Sequence, residues 1–125
     1  MHVLIVDDEV EFLSLIQKRL EHRDIQVTTA NNASDAVKLV MKMNPPFNAV
    51  VMDVRMPGMD GLEGLHRMKQ IAPSLPVILL TGHASLSVAV SGMELGAFDY
   101  LLKPIAINEL IIKLEDAART GALPV

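Results

Sequence analysis

Residues 49–53 read Ala-Val-Val-Met-Asp, an apolar run of strand length, residues 49–52, that ends on the carboxylate of Asp53. Four similar apolar runs flank it, at residues 3–6, 25–30, 77–80 and 98–102. Between the runs, apolar residues recur at helical spacing, as at Phe12, Leu13, Ile16 and Leu20, at Ala36, Val37, Val40 and Met41, and at Leu62, Leu65 and Met68. Strand therefore alternates with helix, which predicts a parallel sheet with helices on both faces.

The character of each run predicts its place in the sheet. The runs at 3–6, 50–52 and 77–80 are continuously apolar, as expected for strands that are buried on both faces. The second run alternates, Ile25-Gln26-Val27-Thr28, which favours an edge position. We therefore expect the strand order 2-1-3-4-5, a flavodoxin-like doubly wound (βα)5 fold of the α/β class. Such folds bind ligands at the carboxyl ends of the strands, near the point between strands 1 and 3 where the order reverses.

Composition narrows the function classes. The chain has 125 residues, the size of one domain, and its lack of cysteine excludes disulfides, thiolate nucleophiles and zinc sites with cysteine ligands. Its formal charge of −4 gives no footprint for direct nucleic-acid binding. The sequence shows neither an apolar run of membrane-spanning length nor the basic start of a signal peptide, so we expect a cytoplasmic domain without membrane contact. We expect the domain to cover residues 1–119, with 120–125 a tail or the start of a linker.

Three aspartates are expected to meet at the carboxyl edge of the sheet. Asp7 and Asp8 follow the first run, and Asp53 ends the third. Adjacent strands lie about 4.8 Å apart, so these carboxylates would repel one another strongly unless a hard cation neutralised them. Mg²⁺ fits, because it binds through one or two carboxylates and leaves room for a phosphate. The alternative is that Asp8 only caps the first helix and Asp53 only ends a strand.

A hydroxyl and an ammonium are expected at the same edge. Thr81 ends the fourth run, and Lys103 follows the fifth. A lysine ammonium is a compact charge that suits phosphate. Taken singly, Thr81 could be a helix cap and Lys103 an exposed terminal lysine. Together they indicate a phosphate site that faces a carboxylate nucleophile.

These motifs, in this order, resemble a response-regulator receiver domain of two-component signalling, the CheY-like superfamily. The resemblance spans essentially the whole chain. Its motifs are the acidic pair Asp7-Asp8, the phosphoacceptor segment from Asp53 to Gly61, Thr81, Tyr100 and the pair Lys103-Pro104.

The resemblance implies that Asp53 is the phosphoacceptor, taking a phosphoryl group from a sensor histidine kinase or a small acyl phosphate. It implies that Asp8, Asp53 and the backbone carbonyl of Arg55 ligate Mg²⁺, for which Mn²⁺ could substitute, with Asp7 acting mostly through water. Lys103 would neutralise phosphoryl oxygens. Such a protein catalyses its own phosphorylation and slow autodephosphorylation and is not a conventional turnover enzyme.

The resemblance also implies a switch. Phosphorylation recruits the hydroxyl matching Thr81, and the aromatic residue matching Tyr100 turns inward, which changes the face formed by helix 4, strand 5 and helix 5. The alternative for Tyr100 is a half-buried tyrosine of an edge strand. The peptide bond before Pro104 is expected to be cis, which aims Lys103 inward.

Partners follow from the same resemblance: a sensor histidine kinase, a downstream output domain or protein, and a second copy in a phosphorylation-dependent homodimer. Phe12, Leu15 and Ile105 are candidates for kinase docking, with plain core packing as the alternative. Residues 84–95, expected to form helix 4, hold Glu94 as their one charged residue. That composition is unlike the dimer face of winged-helix regulators and more like receivers attached to AAA+ activators or sensor kinases.

Three further residues carry hypotheses. Arg55 and His83 lie two residues beyond Asp53 and Thr81, where they could screen or orient an attacking water and so modulate dephosphorylation. Asp60, before Gly61, is expected to cap the third helix.

Rival functions are a haloacid-dehalogenase-like phosphatase, a flavodoxin-like FMN module, and a degenerate receiver that acts only as a protein-interaction module. The phosphatase needs a second aspartate where Arg55 stands. Few aromatic residues and an acidic edge argue against a flavin pocket.

Overall fold

The computed structural model describes residues 1–122 of the chain. Its strands are β1 (His2–Val6), β2 (Gln26–Ala30), β3 (Ala49–Asp53), β4 (Val77–Thr81) and β5 (Asp99–Leu102). Its helices are α1 (Val10–Glu21), α2 (Ala33–Lys42), α3 (Gly61–Ile71), α4 (Leu86–Glu94) and α5 (Ile107–Ala122), with a 3₁₀ turn at His83–Ser85. Strand and helix alternate as the apolar runs predict.

The strands within residues 1–122 form one parallel sheet in the order β2-β1-β3-β4-β5. The predicted order and fold class are confirmed, and β2 lies at an edge. The registers Val6↔Met52 and Asp53↔Leu80 bring the carboxyl ends of β1, β3 and β4 to the same level. The order reverses between β1 and β3, so the edge beside these two strands is the place where this fold holds ligands.

Each face of the sheet has its own apolar core, because successive strand residues point to opposite faces. On one face, Leu4, Val50 and Leu79 pack with helices α2, α3 and α4. On the other face, Ile5 and Val51 belong to the cluster that includes α1 and α5. Helices therefore cover both faces, and the loops that follow the carboxyl ends of the strands stay free to carry polar groups.

Some local expectations hold and others need correction. Asp60 caps α3 as expected, since its carboxylate accepts the Glu63 N–H at 2.9 Å. Gly96 follows the end of α4 with a φ of 101°, the left-handed conformation of a helix C-terminal glycine. Met41 was placed on the apolar stripe of α2 but is 65% exposed, because it lies in the last turn, beyond the buried residues of the helix.

The fourth helix also differs from expectation at its start, and the last helix extends beyond residue 119. The fourth helix was expected over 84–95, but α4 begins at Leu86, since the preceding residues form the 3₁₀ turn. Helix α5 continues to Ala122, three residues past the expected domain end at 119, and the remainder of the expected tail, 123–125, lies outside the described residues. Among residues 1–122, no helix is both long and apolar enough to cross a membrane.

Candidate functional site

Three carboxylates meet at the carboxyl edge of the sheet. Asp7 and Asp8 follow β1, and Asp53 is the last residue of the neighbouring strand β3. One carboxylate oxygen from each lies within 4.8 Å of the others. Asp7 is fully buried and Asp53 is 7% exposed, whereas Asp8 is exposed. An all-oxygen set of this kind suits a hard divalent cation that stays open to water and phosphate on one side.

Asp8 is not a helix cap. The residue at the N-cap position of α1 is Glu9, and within residues 1–122 its side chain makes no capping hydrogen bond. The alternative that Asp8 only caps the first helix is therefore wrong. Its carboxylate lies with those of Asp7 and Asp53.

Lys103 completes the site from the loop after β5. Its ammonium Nζ donates to Asp7 Oδ2 at 2.7 Å and to Asp53 Oδ2 at 2.8 Å, and it lies 3.4 Å from Glu9 Oε1. Burial by itself lowers the pKa of Lys103, but the hydrogen bonds and charges of Asp53 and Asp7 outweigh it and raise that pKa well above the ordinary range. Lys103 therefore stays protonated at all physiological pH values. We call Asp7, Asp8, Asp53 and Lys103 the acidic pocket.

Asp7 is held in the pocket from two sides. Its Oδ1 accepts the Glu9 N–H at 2.9 Å, and its Oδ2 accepts from Lys103. Burial raises the pKa of Asp7 above the usual carboxyl range, and the hydrogen bonds from Lys103 and the Glu9 amide only partly offset this. The ionised form of Asp7 is therefore unfavourable in the pocket, and a bound cation would stabilise it.

Asp53 has both carboxylate oxygens engaged. Oδ1 accepts the Arg55 N–H at 2.8 Å, and Oδ2 accepts from Lys103. Behind it, α3 begins so close to β3 that a Cβ on Gly61 would lie 2.4 Å from the Asp53 carbonyl oxygen. Only glycine fits at this approach, so Gly61 has a steric reason to stand at the start of α3.

Thr81 and Tyr100 stand apart from this hydrogen-bond network. Thr81 is fully buried at the end of β4, and its hydroxyl donates to the Gly82 carbonyl at 3.0 Å. Tyr100 is half-buried on the edge strand β5, opposite Leu79. The structure thus brings Thr81 to the same edge as Asp53, one position beyond the Asp53↔Leu80 pair, with its hydroxyl bonded locally.

Arg55 and His83 lie on the two loops that border the pocket. Arg55 Nε donates to Ser85 Oγ at 2.7 Å, which joins the loop after β3 to the 3₁₀ turn. His83 is exposed in that turn. The peptide bond between Lys103 and Pro104 is cis; so is the bond between Asn44 and Pro45, far from the site.

Phe12, Leu15 and Ile105 line one groove of about 350 Å³ between α1 and the start of α5, and Lys103 lies in its wall. Leu15 is 49% exposed, so core packing does not account for it. Phe12 is half-buried, and its ring lies 4.6 Å from Lys103 Nζ, a cation–π distance.

Sequence reasoning missed three contacts: Glu9 with Lys103, the Phe12 ring with Lys103, and Ser85 with Arg55. Glu9 could have been found, because it follows the acidic pair at the same strand end. Ser85 had only a different signal, because a serine before an apolar helical stretch predicts an N-cap and not a bond to Arg55. The Phe12 contact had no local signal, since it joins residues 91 positions apart.

The matching family model is that of the response regulator receiver domain, and it covers residues 3–115. The DNA-binding transcriptional regulator NtrC of Escherichia coli K12 is 38% identical over 115 residues, which are 92% of this chain and 24% of that protein. The probable transcriptional regulatory protein TcrX of Mycobacterium tuberculosis is 35% identical over 98% of this chain and 52% of its own length. The chain thus spans a quarter to a half of these curated relatives.

A solved structure shares the fold closely. The receiver domain protein of Clostridium thermocellum superposes with a TM-score of 0.90 at 33% identity, covering 94% of both chains. The family match, these relatives and the acidic pocket agree. The chain belongs to the response-regulator receiver family of two-component signalling.

Proposed function

We propose that this receiver domain is a phosphoacceptor whose nucleophile is Asp53, with a sensor histidine kinase as its physiological donor. The observation that carries the proposal is that Lys103 Nζ bonds both Asp53 and Asp7. These two carboxylates and that of Asp8 lie within 4.8 Å of one another. A carboxylate nucleophile, a fixed ammonium and an oxygen-ligand cluster are the parts that phosphoryl transfer needs.

The reaction is a displacement at phosphorus. An Asp53 carboxylate oxygen forms the new P–O bond while the P–N bond of a phosphohistidine breaks, and the leaving imidazole nitrogen keeps the electron pair and takes a proton. With acetyl phosphate, the P–O bond to acetate breaks instead. Water later attacks the aspartyl phosphate, which returns the carboxylate and inorganic phosphate. Each round modifies the domain itself, so it is a signalling protein and not a conventional turnover enzyme.

The donor set fits Mg²⁺, with Mn²⁺ as a substitute. Asp8 and Asp53, with the backbone carbonyl of Arg55, would hold the ion, and Asp7 would act mostly through water. Three carboxylates face one ammonium in the pocket, so the site has an excess of negative charge for a divalent cation to neutralise. When bound, the ion supplies charge neutralisation for the transferring phosphoryl oxygens.

Lys103 and Thr81 act on the phosphoryl group once it has arrived. Lys103 already bonds Asp53 Oδ2, so its ammonium lies beside the carboxylate that forms the acyl phosphate. It neutralises phosphoryl charge there. Thr81 exchanges its weak local bond to the Gly82 carbonyl for a phosphoryl oxygen. The movement of Thr81 frees space for Tyr100, which turns inward and changes the face formed by α4, β5 and α5.

The remaining assignments are parts of the same proposal. Arg55 and His83 border the approach to Asp53 and modulate dephosphorylation. The kinase docks at the groove lined by Phe12, Leu15 and Ile105. Residues 1–119 form the receiver unit in a cytoplasmic setting, and 120–125 are a tail or the start of a linker. The signal passes to a downstream output domain or protein, or to a second copy in a phosphorylation-dependent homodimer.

The test is phosphorylation in solution. The protein is incubated with Mg²⁺ and acetyl phosphate, and its intact mass is recorded. We expect the gain of one phosphoryl group, lost in Asp53→Asn and on chelation of the ion. Asp60→Asn is the matched control, because it makes the same chemical change seven residues away and keeps a capping side chain at α3. No gain with the unaltered protein would favour the alternative, a degenerate receiver that works by contact alone.

A further inference from the structure

The side chain of Arg55 joins the acceptor loop to the start of α4. Its Nε donates to Ser85 Oγ at 2.7 Å, while its backbone N–H donates to Asp53 Oδ1 at 2.8 Å. Ser85 is 6% exposed, so the bond to its hydroxyl is sheltered from water. One residue is therefore attached both to the phosphoacceptor and to the turn that leads into α4.

Ser85 also occupies the N-cap position of α4. Serine is favoured there because its Oγ accepts an N–H from the second or third helical residue. In α2 and α3 the caps Asn32 and Asp60 accept such a bond. Within residues 1–122, Ser85 makes no capping bond. Its Oγ is instead the acceptor for Arg55, so the first turn of α4 lacks the cap that its own sequence provides.

We propose that Ser85 is a positioning residue that changes partner on phosphorylation: it holds Arg55 in the unmodified protein and caps α4 in the phosphoprotein. This inference rests on the proposed phosphorylation of Asp53. The reason is competition for the guanidinium. A bond between arginine and a phosphoryl oxygen is charge-assisted at both ends, and it is stronger than a bond to a neutral hydroxyl.

The geometry makes that competition local. The phosphoryl group would lie on the residue whose carboxylate already accepts the Arg55 N–H, so the guanidinium need only turn about its own side chain. Once Arg55 leaves, Ser85 Oγ is a buried acceptor at the N-cap position of α4 without its partner, and an unpaired buried oxygen is costly. A hydroxyl oxygen has two lone pairs, so the exclusion is one of orientation: with its Oγ directed at Arg55, the Ser85 side chain makes no capping bond among the described residues. The phosphoryl group therefore binds Arg55 in one arrangement of the turn and not in the other. Such a difference in binding is what a ligand needs in order to shift the populations of two conformations.

The experiment follows amide hydrogen exchange at Ser87 and Val88, the second and third residues of α4. It compares the unaltered protein with Arg55→Met, Ser85→Ala and Ser85→Thr, before and after treatment with Mg²⁺ and acetyl phosphate. Intact mass reports the phosphoryl content of each sample. Ser91→Ala is the control for loss of a hydroxyl from the same helix, since Ser91 is exposed and its Oγ bonds the Ser87 carbonyl and not the Ser87 or Val88 N–H.

We expect Arg55→Met to slow exchange at these amides by about 2- to 30-fold without phosphorylation, the range that a serine cap supplies. The unaltered protein and Ser91→Ala should show the same slowing only after phosphorylation. Ser85→Ala should show it in neither state, and Ser85→Thr should restore it, because threonine also caps.

Three results would each overturn the inference. The first is unaltered exchange in Arg55→Met, which would show that Arg55 does not withhold the cap. The second is full protection in phosphorylated Ser85→Ala, and the third is no added protection in the unaltered protein at full phosphoryl content. Failure of the proposed function is distinguishable, because it shows as no mass gain, whereas the Arg55→Met comparison needs no phosphorylation.

Discussion

Two halves of the same sheet edge are held in different ways. In the acidic pocket, charged groups bind one another across the chain, as when Lys103 bonds Asp7 and Asp53. The segment from Thr81 to Tyr100, which we call the response segment, is held mostly by local bonds. There Thr81 donates to the next carbonyl, and Ser91 donates to Ser87 one turn away.

The surface of the response segment differs as well. Val90 and Met93 on α4, and Leu95 just after it, are each more than a third exposed, and α4 has one charged residue, Glu94. The pocket is therefore prepared before any reaction, whereas the response segment has few bonds to lose when it rearranges. This difference suits the proposed phosphorylation at Asp53 and the proposed change at the face of α4, β5 and α5.

The largest expected effect comes from removing the ammonium. Lys103→Met should slow phosphorylation by acetyl phosphate about 100-fold or more, the scale seen when one preorganised charge donor is lost. It should also lower the free energy of unfolding by about 1–3 kcal/mol in the absence of divalent ions, because Asp7 is left buried and uncompensated. Single-turnover phosphorylation and urea denaturation measure the two effects, and Lys42→Met, on the exposed end of α2, is the control.

The stability effect of Lys103→Met should depend on pH. The pKa of Asp7 is raised by burial, and loss of the Lys103 hydrogen bond raises it further. A carboxyl with a raised folded pKa favours folding when protonated, so the deficit should be full above that pKa and shrink as pH falls through it. Denaturation at pH 7 and pH 5 checks the sign; a deficit that grows in acid would contradict the account of Asp7.

A matched pair of glycine changes separates the two regions. A Cβ on Gly61 would meet the Asp53 carbonyl oxygen at 2.4 Å, and a Cβ on Gly92 would meet Leu79 Cδ1 at 2.3 Å. We expect Gly61→Ala to lower the free energy of unfolding by about 2–3 kcal/mol, because the added Cβ meets backbone atoms that cannot move without disturbing β3. Gly92→Ala should lower the free energy of unfolding by less, about 0–2 kcal/mol. In a helix interior, alanine is more favourable than glycine by up to about 1 kcal/mol, which offsets part of the clash.

The two changes should also differ in what they disturb. Gly61→Ala should slow phosphorylation as well as lower stability, whereas Gly92→Ala should loosen α4 and leave the phosphorylation rate near that of the unaltered protein. Gly82→Ala is the control, because no atom lies within 4 Å of its added Cβ. Equal losses of rate in both variants would show that the two regions are not separate.

The sequence was sufficient for the fold because the apolar runs differ in kind. Continuous runs at 50–52 and 77–80 mark central strands, and the alternation from Ile25 to Thr28 marks the edge strand β2. Strand ends then placed Asp7, Asp53, Thr81 and Lys103 at one edge, since parallel strands share it.

Contacts between side chains could not be read in the same way. The bond from Arg55 to Ser85 depends on how two loops fold toward each other, and a loop has no periodic pattern to report its path. The same holds for the start of α4, because Ala84 and Ser85 of the 3₁₀ turn are residues that a helix also accepts, and the boundary at Leu86 is therefore hidden. Sequence thus located the groups at strand ends and missed the pairings between loops.

A smaller effect is expected at Phe12, whose ring faces the Lys103 ammonium. Phe12→Leu should slow phosphorylation by acetyl phosphate about 2- to 5-fold, the equivalent of a partly exposed cation–π contact of about 0.5–1 kcal/mol. Acetyl phosphate is too small to depend on the groove, so the rate reports the pocket. Phe12→Tyr should recover the rate because it keeps the ring.

Phe98→Leu is the matched control for Phe12→Leu. Phe98 is half-buried and packs against the same core cluster as Phe12, so the substitution removes similar apolar area without touching Lys103. Equal slowing in both variants would mean that lost packing, and not the lost ring face, explains the effect at Phe12.

The smallest effect is expected where the response segment meets α5. Lys113 forms an ion pair with Asp99, the first residue of β5, and the hydrogen bond to Asp99 raises the pKa of Lys113. Both side chains are about 30% exposed, so Lys113→Met should cost no more than about 0.5 kcal/mol. That contribution should be full below the ordinary lysine pKa, be lost as pH rises through the raised pKa, and fade in 1 M salt.

Urea denaturation at low and high salt measures the contribution of the ion pair between Lys113 and Asp99, with Lys42→Met as control. A loss above 1 kcal/mol that salt does not reduce would show that the response segment is anchored by charge after all, and would remove the contrast with the acidic pocket.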